Sequence, residues 1–205
     1  MFISPPPPDR SGNGTQQAFY DRDDVLFISV HQSSLYPINS GSIDECGKGS
    51  GKNVNINIPL PPGSGVGAYL KTFERIVIPC LKAFAPDLLL VSSGFDASYH
   101  DPLGTMMVTS TCFGELAFQL SEAMNHRNTV FCHEGGYSEN LVPYCGLRVV
   151  EALAGVEKSN VVDVNDEEGY AYGYQDCQDH QLKVIEKSYE DVARHMIAKC
   201  RIINK

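Results

Sequence analysis

Basic charge is what this sequence has least of: 16 Lys and Arg stand against 25 Asp and Glu in 205 residues, a formal net charge of −9. Phosphate backbones are bound by clustered Lys and Arg, so a nucleic-acid surface is excluded as the main role, and basic peptides or small cations are the expected charged partners. A lysine-rich nuclear import signal is absent too. No run approaches the roughly 20 apolar residues of a membrane span. Residues 1–20 have neither the basic start nor the apolar centre of a signal peptide. The sequon Asn13-Gly14-Thr15 is therefore read as empty. The seven cysteines are odd in number and contain no CxxC pair, which fits a reduced intracellular protein, cytoplasmic or nuclear.

Phosphate-binding loops are missing as well. Gly47 to Asn53, GKGSGKN, imitates one, but Cys46 stands where the leading glycine is needed, Asn53 replaces the Ser or Thr, and no helix is expected after it. It reads as a turn. Gly63 to Gly67, GSGVG, has no strand of the dinucleotide-binding kind before it and lacks the third glycine at the required spacing, so it is read as a shaping loop.

What is present is a repeated design. VLFISV (25–30), the DLLLVSSGFD stretch from Asp87 and the NTVFCHEGGY stretch from Asn128 each carry an apolar run that predicts a strand buried on both faces. Helical periodicity marks Val66 to Phe84, Thr109 to Asn125 and Pro143 to Leu153, with Pro143 suited to a first turn. Strands alternating with helices of this length predict an α/β fold, a parallel sheet covered on both faces. After about Asn160 comes an acidic, tyrosine-bearing stretch and a final helix from about Gln181 to Ile197. It reads either as an acidic loop and helix packed on the domain or as a solvated tail.

In open parallel sheets function gathers beyond the carboxyl ends of the strands. Three strand ends deliver His31; Asp96, His100 and Asp101; and His133, Glu134, Gly135, Gly136 and Tyr137. Carboxylate, imidazole and phenol on one rim suit a metal ion with an acid or oxyanion-binding partner. Each residue also has a plainer reading. Asp96 is either a metal ligand or a loop anchor. Tyr137 is either placed by glycines that let backbone approach a ligand, or simply packed. His31, His100 and His133 are individually better read as hydrogen-bonded loop or core histidines.

SGNGTQQAFY, VLFISVHQSSLYP, LPPGSG, PDLLLVSSGFDASYHDPLG and HEGGYS follow one another in an order and spacing that resembles the zinc-dependent histone deacetylases, from about Ser11 to Gly155. The similarity is greater to the class II and bacterial-type branch, near the acetylpolyamine amidohydrolases, than to class I. The resemblance implies an arginase/deacetylase-like three-layer open parallel sheet with helices on both faces. It also implies zinc-assisted hydrolysis of an acetyl-lysine or acetylated-amine amide, with a histidine pair moving protons and a tyrosine hydroxyl steadying the oxyanion. Asp96 is then a zinc ligand, Tyr137 the oxyanion donor, and Gly135 and Gly136 substrate-facing backbone. Ser29 and Val30, with Phe19, Arg22 and Val25, match segments that hold a monovalent cation such as potassium in relatives. The partners implied are an acetylated protein or polyamine.

The chain departs from the pattern at its start. Where the family carries Asp-x-His-His before Gly-Asn-Gly-Thr, this sequence has Pro8 and Arg10 in place of the other two zinc ligands and Ser11 in place of the second His. The paired catalytic histidines have no counterpart upstream. The expectation is a Pro-rich leader over residues 1–10, a partial deacetylase domain over 11–155 and the acidic loop with its helix over 156–205. A lone carboxylate holds Zn²⁺ poorly and Arg10 adds a fixed positive charge, so this chain is expected not to bind zinc and not to turn over substrate. The alternative role is binding, to a full-length deacetylase or to itself through an unpaired sheet edge.

Overall fold

The computed structural model describes residues 13–35, 39–156, 159–163 and 176–203. Pro8, Arg10 and Ser11 lie outside them. The described residues open with α1 (Asn13–Ala18) and β1 (Phe27–Gln32), then β2 (Asn55–Leu60). A long helical rod follows, α2 (Val66–Thr72) and α3 (Ile78–Phe84) joined through a π-helical stretch at Phe73–Val77. Next come β3 (Leu89–Ser93), α4 (Ser110–Ala123), β4 (Thr129–His133) and α5 (Val142–Ala154). A second rod closes the chain: α6 (Asp179–Ser188), a π-helical stretch at Tyr189–Ala193 and α7 (Arg194–Ile203). The alternation of strands and helices is the α/β pattern read from the sequence.

The strands pair in parallel twos, β1 with β2 and β3 with β4. β1 is buried at every residue, as its unbroken apolar run requires. β2 has no such run and gives no strand signal in the sequence, because NINIPL interleaves asparagines with its isoleucines. Asn55 and Asn57 sit buried all the same, since both side-chain amides donate to Gln16 Oε1 on α1, at 3.0 and 2.7 Å, and to the carbonyl of Glu45. Helix α1 is thus anchored to the second strand by a buried amide cluster. Gln16 also donates to Glu45, so this α1 side chain is satisfied at both ends.

β4 corrects the expectation of a strand buried on both faces. Val91 and Phe131 face α2, α4 and α5 around a narrow cavity of about 40 Å³ that Val30 also lines. On the other face Leu88, Val130 and Cys132 are exposed, with Val130 at 45%. One face of β4 has an apolar partner and the other has none among the described residues. Its apolar residues therefore reflect one buried side only.

Elsewhere the helices follow their signals. Thr109 caps α4 by accepting from the Cys112 amide, Pro143 sits in the first turn of α5, and Gly155 ends α5 in the left-handed region at φ 62°. α4 and α5 approach closely at Gly114, where a Cβ would lie 3.0 Å from the Arg148 backbone oxygen. The closing rod packs on the domain: Ile185, Ala193 and Met196 are fully buried, and Arg75 makes a two-pronged pair with Glu186 while lying 3.4 Å over the Tyr189 ring. GKGSGKN forms a short 3-10 turn at Gly49–Gly51.

Candidate active site

Two loops leave the carboxyl ends of β3 and β4 side by side, because the strands are parallel and in register from Leu89↔Thr129 to Ser93↔His133. The first carries Phe95, Asp96 and Asp101; the second carries Glu134, Gly135, Gly136 and Tyr137. Backbone bonds knit them together: the Phe95 amide donates to the Gly135 carbonyl at 2.8 Å and the Glu134 amide to the Ser93 carbonyl at 3.3 Å. Phe95 anchors the turn between the Phe113 ring on α4, 5.2 Å away edge-on, and the His133 ring stacked at 5.0 Å.

Asp96 is 6% exposed, and its Oδ1 has no hydrogen-bond partner. Burial pushes its pKa up to about 7, with the negative charges of Asp101 and Glu134 adding to the effect. A buried carboxylate with one oxygen left without a donor favours a proton or a cation, and such a group in a cleft is a candidate functional residue. Glycine is required beside it. A Cβ on Gly135 would stand 3.1 Å from the Asp96 carboxylate, and one on Gly104 would stand 2.4 Å from the Asp96 carbonyl. Gly136 adopts φ 129°, a conformation that side chains resist, which delivers Tyr137 to the rim at 38% exposure.

The structure sets Gly135 against the Asp96 carboxylate, with Gly136 and Tyr137 next along the same loop. It does not bring the histidines to Asp96. His31 is buried between Ser29 Oγ at 2.8 Å and the Gly41 carbonyl at 3.0 Å, and desolvation lowers its pKa to about 4. His100 lies against the Tyr99 ring, centroids 4.2 Å apart, and His133 against Phe95. Ser29 and Val30 lie inside β1. Asp101 is satisfied by backbone amides of both loops and so offers no free carboxylate in place of a missing ligand.

One neighbour of the site, Tyr69, and one contact, that of Glu134, are not legible in the sequence. Tyr69 on α2 is 4% exposed with an unpartnered hydroxyl, and burial followed by the Asp96 charge raises its pKa. Helical periodicity marks it only as core. Glu134 accepts from Ser92 Oγ at 2.8 Å, a contact between neighbouring strands that only the pairing register creates.

A catalytic zinc takes three protein ligands and keeps a fourth position open. Among the described residues no group of three His, Cys, Asp or Glu side chains is placed to hold a metal. Asp96 suits the part of one oxygen ligand, but the described residues do not complete a zinc cage.

Parallel strands with covering helices, and loops meeting beyond the carboxyl ends of β3 and β4, define an α/β domain, and comparison makes the family specific. The histone deacetylase domain matches residues 11–153, and this chain belongs to the histone deacetylase family. It is 44% identical over 151 residues to a histone deacetylase-like amidohydrolase of Pseudomonas aeruginosa, covering 72% of this chain and 40% of that protein. It is 37% identical over 158 residues to histone deacetylase HDA1 of Saccharomyces cerevisiae, covering 74% of this chain and 22% of that one. The HDA15 HD domain superposes with a TM-score of 0.73 at 26% identity, over 98% of this chain and 53% of that structure. The histone deacetylase Clr3 also gives 0.73, at 29% identity, over 93% of this chain and 32% of that one. The chain thus spans less than half the length of these curated relatives.

Proposed function

We propose that this chain carries one side of a deacetylase active site, contributing Asp96 and Tyr137, and is silent in hydrolysis on its own. The observation that carries the proposal is the buried Asp96 carboxylate, its Oδ1 without a hydrogen-bond partner, beside the Gly135-Gly136-Tyr137 loop. In such a site Asp96 would supply one oxygen ligand to zinc, which when bound polarises the acetyl carbonyl. Tyr137 would donate its hydroxyl hydrogen to the oxygen that gains negative charge as the amide carbon becomes tetrahedral. Gly135 and Gly136 would let the acetyl-lysine or acetylated-amine chain pass close to backbone. Ser29 and Val30 keep a monovalent-cation role, potassium by preference, on resemblance alone.

What supports silence is that Pro8 and Arg10 stand where the family pattern carries ligands and that no group of three metal-ligating side chains forms among the described residues; the role proposed in its place is binding. The partner is a second copy or another deacetylase-family chain, met along the outer edge of β4, in cytoplasm or nucleus. The test is zinc content by mass spectrometry together with acetate release from an acetyl-lysine peptide. Substoichiometric zinc and no acetate are expected. Stoichiometric zinc, with turnover abolished in Asp96→Ala and in Tyr137→Phe, would overturn the proposal.

A further inference from the structure

Asp101 sits five residues beyond Asp96 and carries no role so far, yet it is the side chain that joins the two loops. It is 7% exposed. Its Oδ1 accepts from the Leu103 amide at 2.9 Å and the Gly104 amide at 3.2 Å, closing a turn on its own loop. Its Oδ2 accepts from the Tyr137 amide at 2.7 Å, across 36 residues of sequence. The two oxygens thus face different loops. The turn at Gly104 rests on the Asp96 carbonyl, so one carboxylate touches the supports of both Asp96 and Tyr137.

We infer that Asp101 is a positioning residue that fixes the Tyr137 backbone relative to Asp96, so that the phenol is held at the rim before substrate arrives. The inference rests on the reading of Tyr137 as an oxyanion donor, and it adds what sets that donor in place. Gly136 needs such a clamp. At φ 129° it is flanked by Phe95 Cβ and Val142 Cγ2, each 3.0 Å from where its own Cβ would be, and a glycine pair leaves the following residue free to swing unless its backbone is held. A charge-assisted bond from a buried carboxylate is the strongest hold available to a backbone amide. Precise placement matters because an oxyanion donor acts only when aimed at where charge develops.

A plain loop-anchor reading is separable from this one. In Asp101→Asn a single oxygen remains. The turn to Leu103 and Gly104 is local and keeps it, so the new NH₂ faces the Tyr137 amide and cannot accept from it. The experiment is residue-resolved amide exchange and amide-proton NMR shifts on the full chain, comparing wild type, Asp101→Asn and Asp101→Ala. In Asp101→Asn, exchange at Tyr137 is expected to rise roughly 10- to 100-fold with an upfield amide shift, while Leu103, Gly104 and the β1–β2 amides stay as in wild type. In Asp101→Ala all three amides are released. Unchanged protection and shift at Tyr137 in folded Asp101→Asn would overturn the inference. So would loss of Leu103 and Gly104 protection with Tyr137 untouched. If the oxyanion role of Tyr137 itself is wrong, that failure appears in the zinc and acetate assay and leaves the exchange result standing.

Discussion

His31 shows how a residue at a functional-looking strand end can be committed to structure instead. Its ring is 3% exposed, bonded to Ser29 Oγ and the Gly41 carbonyl, and held neutral by desolvation at a pKa of about 4. Unfolded, the same ring titrates near its usual value of about 6.5. The unfolded state therefore binds the proton first as pH falls, and the stability from the neutral ring is whole above pH 6.5 and drains away toward pH 4. The loss amounts to roughly 3 kcal/mol across that window. Urea melts at pH 7.5 and 4.5 should show wild type losing more stability than His31→Gln. Gly41 completes the arrangement: at φ 75° a Cβ would lie 2.6 Å from His31 Nε2. Gly41→Ala should therefore destabilise by about 1–3 kcal/mol in the same melts.

At the level of elements, α5 owes its seat to more than its apolar face. Arg148 and Glu151 pair at 2.7 Å with side chains 5% and 9% exposed; Arg148 donates onward to the Val161 carbonyl, and Glu151 accepts from the Ser159 amide. The Ser159 bond and the Arg148 charge hold the Glu151 carboxyl down at a pKa of about 2. Breaking such a pair strands a buried charge, so Glu151→Ala should cost roughly 3 kcal/mol in chemical denaturation, while the double change Arg148→Met with Glu151→Leu should recover much of it.

These elements were unevenly legible. β1, α4 and α5 announce themselves by unbroken apolar runs, caps and periodicity. β2 does not, because its asparagines are satisfied by Gln16 and Glu45, residues remote in sequence whose approach no local pattern reveals. The site divides in the same way. Asp96 and the Gly-Gly-Tyr turn are readable from strand ends, whereas the double grip of Asp101 and the orphaned Tyr69 hydroxyl exist only once β3 and β4 lie side by side.

Across the whole molecule the two sides of the β3–β4 pair are unequal. Helices cover Val91 and Phe131, while Leu88, Val130 and Cys132 remain open and the outer edge of β4 carries no strand among the described residues. An unpaired apolar edge recruits another chain. Light scattering after size exclusion should therefore give a mass above the 22.5 kDa of one chain, rising with concentration, and Val130→Lys should return it toward monomer. A cooperatively melting wild-type monomer at every concentration would contradict this.

Of the seven thiols only Cys132 is exposed. Cys177 is half-buried and the other five are buried, so an alkylating reagent is expected to react first at Cys132 on that outer face. A maleimide that marks the isolated protein quickly, and the assembled one slowly, would turn a single sulfur atom into a gauge of when the sheet has found its neighbour.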